Sequence, residues 1–273
     1  MKEKINIFFE QKCICFVLPE TKTKKMTTLK YFLFAFAFGC IANTSYGQKK
    51  VALTTFYVSK HIGFEELGGN AALAASIASL SENPDFNLQP VLDNFYTTFM
   101  KDYAPQFPFE FLPESDVVQN DNYQAYEGRF NESKDADRSK LFQRYLTPDG
   151  YKPLQESLVK GEKSNQMQMV NMFKETADGV MFVSMGYDFV KKPIPFTAGV
   201  RAYVRIKVWN KDGKKVFKLN EYGTSKESVA IVGGIPIMKT EKLLPLCESA
   251  STKLVNDLNK KVKKVASKAG KKL

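Results

Sequence analysis

Histidine occurs once in the 273 residues, at His61, and tryptophan once, at Trp209. Cysteine occurs four times, and three of these (Cys13, Cys15, Cys40) lie in the first 47 residues, which leaves Cys247. These shortages exclude a good deal of chemistry. Nucleophilic catalysis usually draws its general base from histidine, and a lone His61 at the edge of a glycine-rich turn reads as an ordinary strand-end side chain. A zinc site needs several histidine or cysteine ligands, and Cys13 and Cys15 supply only two thiols. With Cys247 alone, the chain from Gln48 onward has no internal disulfide. Gly68-Gly69 and Gly233-Gly234 are glycine pairs without the rest of a phosphate-binding motif. No cofactor and no metal site is expected, and the chain reads as non-enzymatic.

Long apolar runs are also scarce. The exception is residues 31–42 (YFLFAFAFGCIA), preceded by Lys22, Lys24, Lys25 and Lys30 and followed by Ser45-Tyr46-Gly47. A basic start, an apolar centre and small residues at the cleavage positions describe a secretory signal. The run is shorter than the roughly 20 residues of an ordinary membrane span. Cleavage after Gly47 is the leading expectation, with lipidation at Cys40 or an uncleaved anchor as alternatives. Met26 would serve as a normal signal start, so residues 1–25 read as an extension. The expected organisation is residues 1–47 as extension and signal, and 48–273 as one α/β domain. Export is therefore expected.

The net charge of +11 is unevenly placed. Residues 1–47 hold seven lysines against three acids, and residues 253–273 hold eight lysines against one aspartate, so 48–252 is neutral. The basic character belongs to a presequence and a tail. The tail lysines (Lys260, Lys261, Lys263, Lys264, Lys268, Lys271, Lys272) could rest on an anionic lipid or glycan surface, or form a solvated helix end.

The clearest pattern lies between residues 177 and 218. After Ala177-Asp178-Gly179, Met181, Val183, Met185, Tyr187 and Phe189 alternate along one strand. In the next, Val200, Ala202, Val204, Ile206 and Val208 face one way, and Arg201, Tyr203, Arg205, Lys207 and Trp209 face the other. A one-residue slip would bury three cations, so the register is fixed. Asp212-Gly213 marks a turn, and a third strand follows over 215–220. This is an antiparallel hairpin whose apolar face needs a helical layer.

Before it, residues 51–60 read as a first strand, 71–80 as a helix, and 91–103 as a helix with an apolar stripe after Pro90. Residues 109–112 read as a short strand. Residues 113–138 are an acidic loop with room for short helical turns, 139–146 a helical stretch, and 164–176 a helix. Residues 229–238 are apolar throughout, either a buried strand and turn or an exposed lip carrying Ile231 and Ile235. Pro245 is expected to open a last helix with Leu243, Cys247, Ala250, Leu254, Leu258, Val262 and Val265 on one face; Cys247 is thus core. The fold class is α/β (α+β): a mixed sheet with a prominent antiparallel hairpin, packed by amphipathic helices including a long C-terminal one.

This order, with Val51-Ala-Leu-Thr-Thr-Phe56, Tyr151-Lys-Pro-Leu154, Ala177-Asp-Gly-Val-Met-Phe-Val183 and the hairpin with its Asn-Lys-Asp-Gly turn, resembles envelope domains of the CsgG, LpoB and TolB-N-terminal type. The resemblance covers most of 50–265. It implies an accessory protein of the periplasm or outer membrane that acts through contact or assembly. A pore of the CsgG kind is not expected, because no spare pair of alternating segments of about ten residues is present.

The contact surfaces expected are the face with Arg201, Tyr203, Arg205, Lys207 and Trp209, and the lip with Ile231 and Ile235. A basic-aromatic strand face can also bind single-stranded nucleic acid, which export disfavours; an acidic partner or self-association fits better. The alternative is a secreted ligand-binding protein or hydrolase with a carboxylate site in 114–137, drawing on Glu114, Asp116, Asp121, Glu127, Glu132, Asp135 and Asp137 near residues 123–130. Separations between carboxyls are not visible in sequence, so that alternative stays open.

Overall fold

Four long strands carry the architecture: β1 (Lys50–Gly63), β4 (Gly179–Lys191), β5 (Thr197–Asn210) and β6 (Lys215–Thr224). They lie side by side in that order. β1 runs parallel to β4, and β4–β5 and β5–β6 are antiparallel. Short strands finish the edges. β2 (Glu110–Phe111) and β3 (Tyr145–Leu146) flank β1, and β7 (Val229–Val232) continues past β6 on β5 and turns into β8 (Ile235–Pro236). This computed structural model describes residues 48–69, 71–129, 143–159, 161–269 and 273. The signal segment through Gly47 with Cys40, and Glu132, Asp135, Asp137, Lys271 and Lys272, lie outside the described residues.

The alternating residues of β4 and β5 pair as their periods require, Val183 opposite Ile206 and Met185 opposite Val204. Their apolar face is buried with α1 (Ala71–Glu82), α2 (Gln89–Thr98) and α6 (Thr240–Ala266). Pro90 sits in the first turn of α2, where its missing N–H costs nothing. Phe56, Phe95 and Phe99 form an edge-packed aromatic cluster beneath β1. Cys247 is buried on α6. α6 approaches β6 closely enough that a Cβ on Gly223 would lie 2.3 Å from the Leu254 nitrogen. Among the described residues no helix is long and apolar enough to cross a membrane.

Two expectations are corrected. Tyr145 and Leu146 are not helical; they bridge β1 opposite Ser59 and Val58. The edge of β1 is open there, Arg144 accepts the Lys60 N–H, and the Tyr145 ring packs edge-on against Tyr57 at 5.2 Å. Sheet pairing and ring packing override a marginal helical pattern. The last helix starts at Thr240, so Pro245 lies inside it, at the cost of one backbone bond. Burial of Leu243 and Leu246 compensates that loss.

The motif Ala177-Asp178-Gly179 is a structural clamp. Asp178 accepts the Lys50 N–H at 2.9 Å and pairs with Lys211 at 3.4 Å, while its carbonyl accepts the Lys211 N–H. It thereby ties the start of β1 to the β5–β6 turn. Burial opposes the charged form, but these donors outweigh it and hold the carboxyl below its ordinary value. Any Cβ on Gly179 would meet the Trp209 carbonyl at 2.5 Å. At this same end the Lys49 ammonium donates to the Leu273 carbonyl at 3.0 Å.

Candidate functional site

The opposite face of the sheet is covered at one end and open at the other. α3 (Glu114–Val118), α4 (Asp121–Ala125) and α5 (Asn165–Phe173) form a second apolar layer on Ala52, Val180, Phe182 and Trp209. Trp209 is only 2% exposed, packed on Phe182 at 4.8 Å between ring centres. The sequence pattern places it on the polar face, and it does lie there, but beneath helices rather than before a partner. The rest of this face floors a cleft of about 1520 Å³.

Arg201, Tyr203, Arg205 and Lys207 of β5 make the floor, joined by Ser184 and Asp188 of β4. β1 contributes Tyr57, Ser59 and His61 along one side. A strap over residues 151–159 and 161–164 starts on β1 at Thr55, reaches β5 and β6 through Glu156, and adds a further wall. Tyr123 holds the strap down: its hydroxyl donates to the Thr54 carbonyl at 2.8 Å and accepts the Lys152 N–H at 2.9 Å. Thr55 adds a hydroxyl bond to the Lys152 carbonyl and accepts the Leu154 N–H at 2.9 Å. The Tyr-Lys-Pro-Leu segment noted in the sequence is thus the anchor of the cleft wall.

The floor's charges are mostly paired. Arg201 reaches Glu66 at 2.8 Å and Asp188 at 3.2 Å. Lys207 donates to Glu156 on the strap at 2.6 Å, and Lys215 pairs with the same carboxylate. Burial is the largest influence on Lys207 and lowers its pKa despite Glu156. Burial also works against ionised Glu156, but the two lysines outweigh it and hold that carboxyl below its usual range. Arg205 differs. It is exposed, and its guanidinium lies over the Tyr203 ring, 4.3 Å from the centre. Tyr203 can lie there because its cross-strand partner is Gly186, where a Cβ would come within 2.5 Å of the tyrosine oxygen.

The other sequence candidates fall elsewhere. Glu114, Asp116 and Asp121 are exposed on α3 and α4, whose inward residues Val117 and Tyr123 join the second core. Among the described residues no three histidine, cysteine or acidic side chains converge to hold a metal ion. His61 lies in the cleft wall. In the lip, Ile231 and Ile235 are half-buried against the main core, and the outward residue is Val232, 68% exposed. Beside it stand Ile194, 65% exposed, and Phe196, 81% exposed, fixed by an N–H bond from Ile231 to the Phe196 carbonyl at 2.7 Å. Of the tail, Lys260 pairs with Asp257 and Lys261 with Glu221, while Lys263, Lys264 and Lys268 are exposed.

Sequence reasoning missed the strap residue Glu156 and the tip residues Ile194 and Phe196. Glu156 carries no local signature, since its partners lie 51 or more positions away. The tip did leave a trace: Pro193-Ile194-Pro195-Phe196 places large apolar residues in a turn. No protein-family model matches the chain, and no curated protein matches it in sequence.

Proposed function

We propose that this is a non-catalytic exported protein that holds a partner protein in the cleft above β5, an accessory role of the CsgG, LpoB and TolB-N-terminal kind. The observation that carries this reading is the preformed cleft, floored by the basic-aromatic face that the sequence marks as a contact surface. Asp188 on the floor and Glu156 on the strap are held by cations. That is a recognition surface rather than an acid–base pair.

The test has two arms. Mass spectrometry of the exported chain should find Gln48 as the first residue, or a lipid on Cys40; an unprocessed Met1 overturns export. A photoreactive residue at Tyr222, exposed on the cleft rim, should yield one discrete protein adduct in intact cells. That adduct should vanish when Glu156 and Lys207 are both replaced by Ala. An unaltered adduct, or none, overturns the cleft as the contact surface.

A second reading rests on the tip. Three large apolar side chains exposed together at a turn mark an interaction site, and self-association through Ile194, Phe196 and Val232 fits them. Native mass decides it: a monomer at micromolar concentration sinks this reading.

A further inference from the structure

We infer that the cleft reads a single carboxylate in an extended, otherwise uncharged peptide segment, and that Arg205 is the residue that binds it. This rests on the cleft being the contact surface.

The first argument is a charge account of the cleft. Arg201 is committed to Glu66 and Asp188, and Lys207 and Lys215 to Glu156. Arg144 stands 3.9 Å from Glu82. Among the described residues Arg205 has a ring beneath it and no acidic partner. It is therefore the cation of the floor whose counter-charge remains to be supplied.

The second argument is geometric. The Arg205 guanidinium carbon lies 4.3 Å from the centre of the Tyr203 ring, and the bare Gly186 opposite leaves that ring its room. A stacked guanidinium keeps its N–H edges free, and those edges match the two oxygens of a carboxylate. Holding the fork in place beforehand removes much of the ordering cost of binding.

The third argument selects the ligand class. Glu65, Glu156, Glu162 and Asp188 also line the cleft. A polyanion would also meet Glu65 and Glu162, whereas a segment with one well-placed carboxylate meets only Arg205. The hydroxyls of Ser184 and Tyr222 line the same cleft and are neutral groups suited to a peptide backbone. The open floor between Arg201 and Lys207 spans roughly 20 Å at about 3.3 Å per residue, which is the length of about six extended residues.

The test uses the processed chain and two pools of fluorescent acetylated hexapeptides of Gly, Ser and Tyr. One pool has a single Glu at the third or fourth position, and the other has Gln there. Anisotropy should show the Glu pool binding at least about tenfold tighter. Arg205→Gln should abolish the preference, and Arg205→Lys should recover only part of it, because an ammonium lacks the fork. Thermal melts of both variants should match the parent, since Arg205 is exposed. Equal binding of the two pools, no binding of either, or a preference that survives Arg205→Gln overturns the inference. The Tyr222 adduct separates the two failures: if it forms while the pools bind alike or not at all, the cleft remains the contact surface and only carboxylate reading is lost.

Discussion

Gly223 and Gly233 pose the same substitution in opposite surroundings. A Cβ at Gly223 would strike backbone atoms of α6, the Leu254 nitrogen at 2.3 Å and the Ala250 carbonyl at 2.5 Å. Backbone cannot rotate away, so Gly223→Ala must push helix from sheet and should cost about 2 kcal/mol in a urea titration. At Gly233 nothing lies within 4 Å, and only its φ of +59° resists a side chain; Gly233→Ala should cost about 1 kcal/mol or less. Phe196 reverses the problem. Its φ of +56° is one that glycine adopts freely. Phe196→Gly should leave stability within about 1 kcal/mol of the parent, because relieved strain offsets added freedom in the unfolded chain. If the tip mediates self-association, the same variant should run as a monomer where the parent does not. Tyr123→Phe removes one hydroxyl that serves two backbone groups. Thr54 and Lys152 are left short of a partner, and a loss of about 1–3 kcal/mol is expected in the same titration.

At the level of elements, the parts legible in sequence are those with their own period. β4 and β5 declare themselves because one face of each is buried along its whole length, and α6 because its buried stripe runs from Leu243 to Ala266. The lip was legible as apolar but not as to which residues face outward, because β7 spans four residues and β8 two. That distinction is testable. Ile231→Asp places a charge against the core and should destabilise by several kcal/mol, while Val232→Asp should leave the melting temperature within a few degrees. Similar losses in the two melts would mean the hairpin is turned the other way. The cleft itself was not legible. Its floor is a strand face that a period of two marks as solvated, and nothing local announces that α3–α5 roof one end of it or that the strap at 151–164 walls another side. Those placements depend on contacts such as Tyr123 with Thr54, 69 residues apart.

Over the whole molecule, two acidic clamps set the response to pH. Glu156 holds the strap to β5 and β6, and Asp178 holds β1 to the β5–β6 turn. Both carboxyls sit below their ordinary values of 4.5 and 3.8. A depressed folded-state pKa favours the fold above the ordinary value, and that support is lost as pH falls through the lower folded one. Unfolding free energy should therefore decline steadily below about pH 4.5. Glu156→Gln should be less stable than the parent at pH 7 and nearer to it at pH 3; parallel curves would show that the strap clamp carries no such linkage. A different property follows from the contact between Lys49 and Leu273. Lys49, next to the first described residue, thus meets the last at one end of the sheet, while the β4–β5 turn around Pro193 lies at the far end of both strands. A short glycine linker could splice Leu273 to Gln48 and new ends could be cut at Pro193, giving a reordered chain that keeps every strand pairing and presents its ends where the apolar tip now stands.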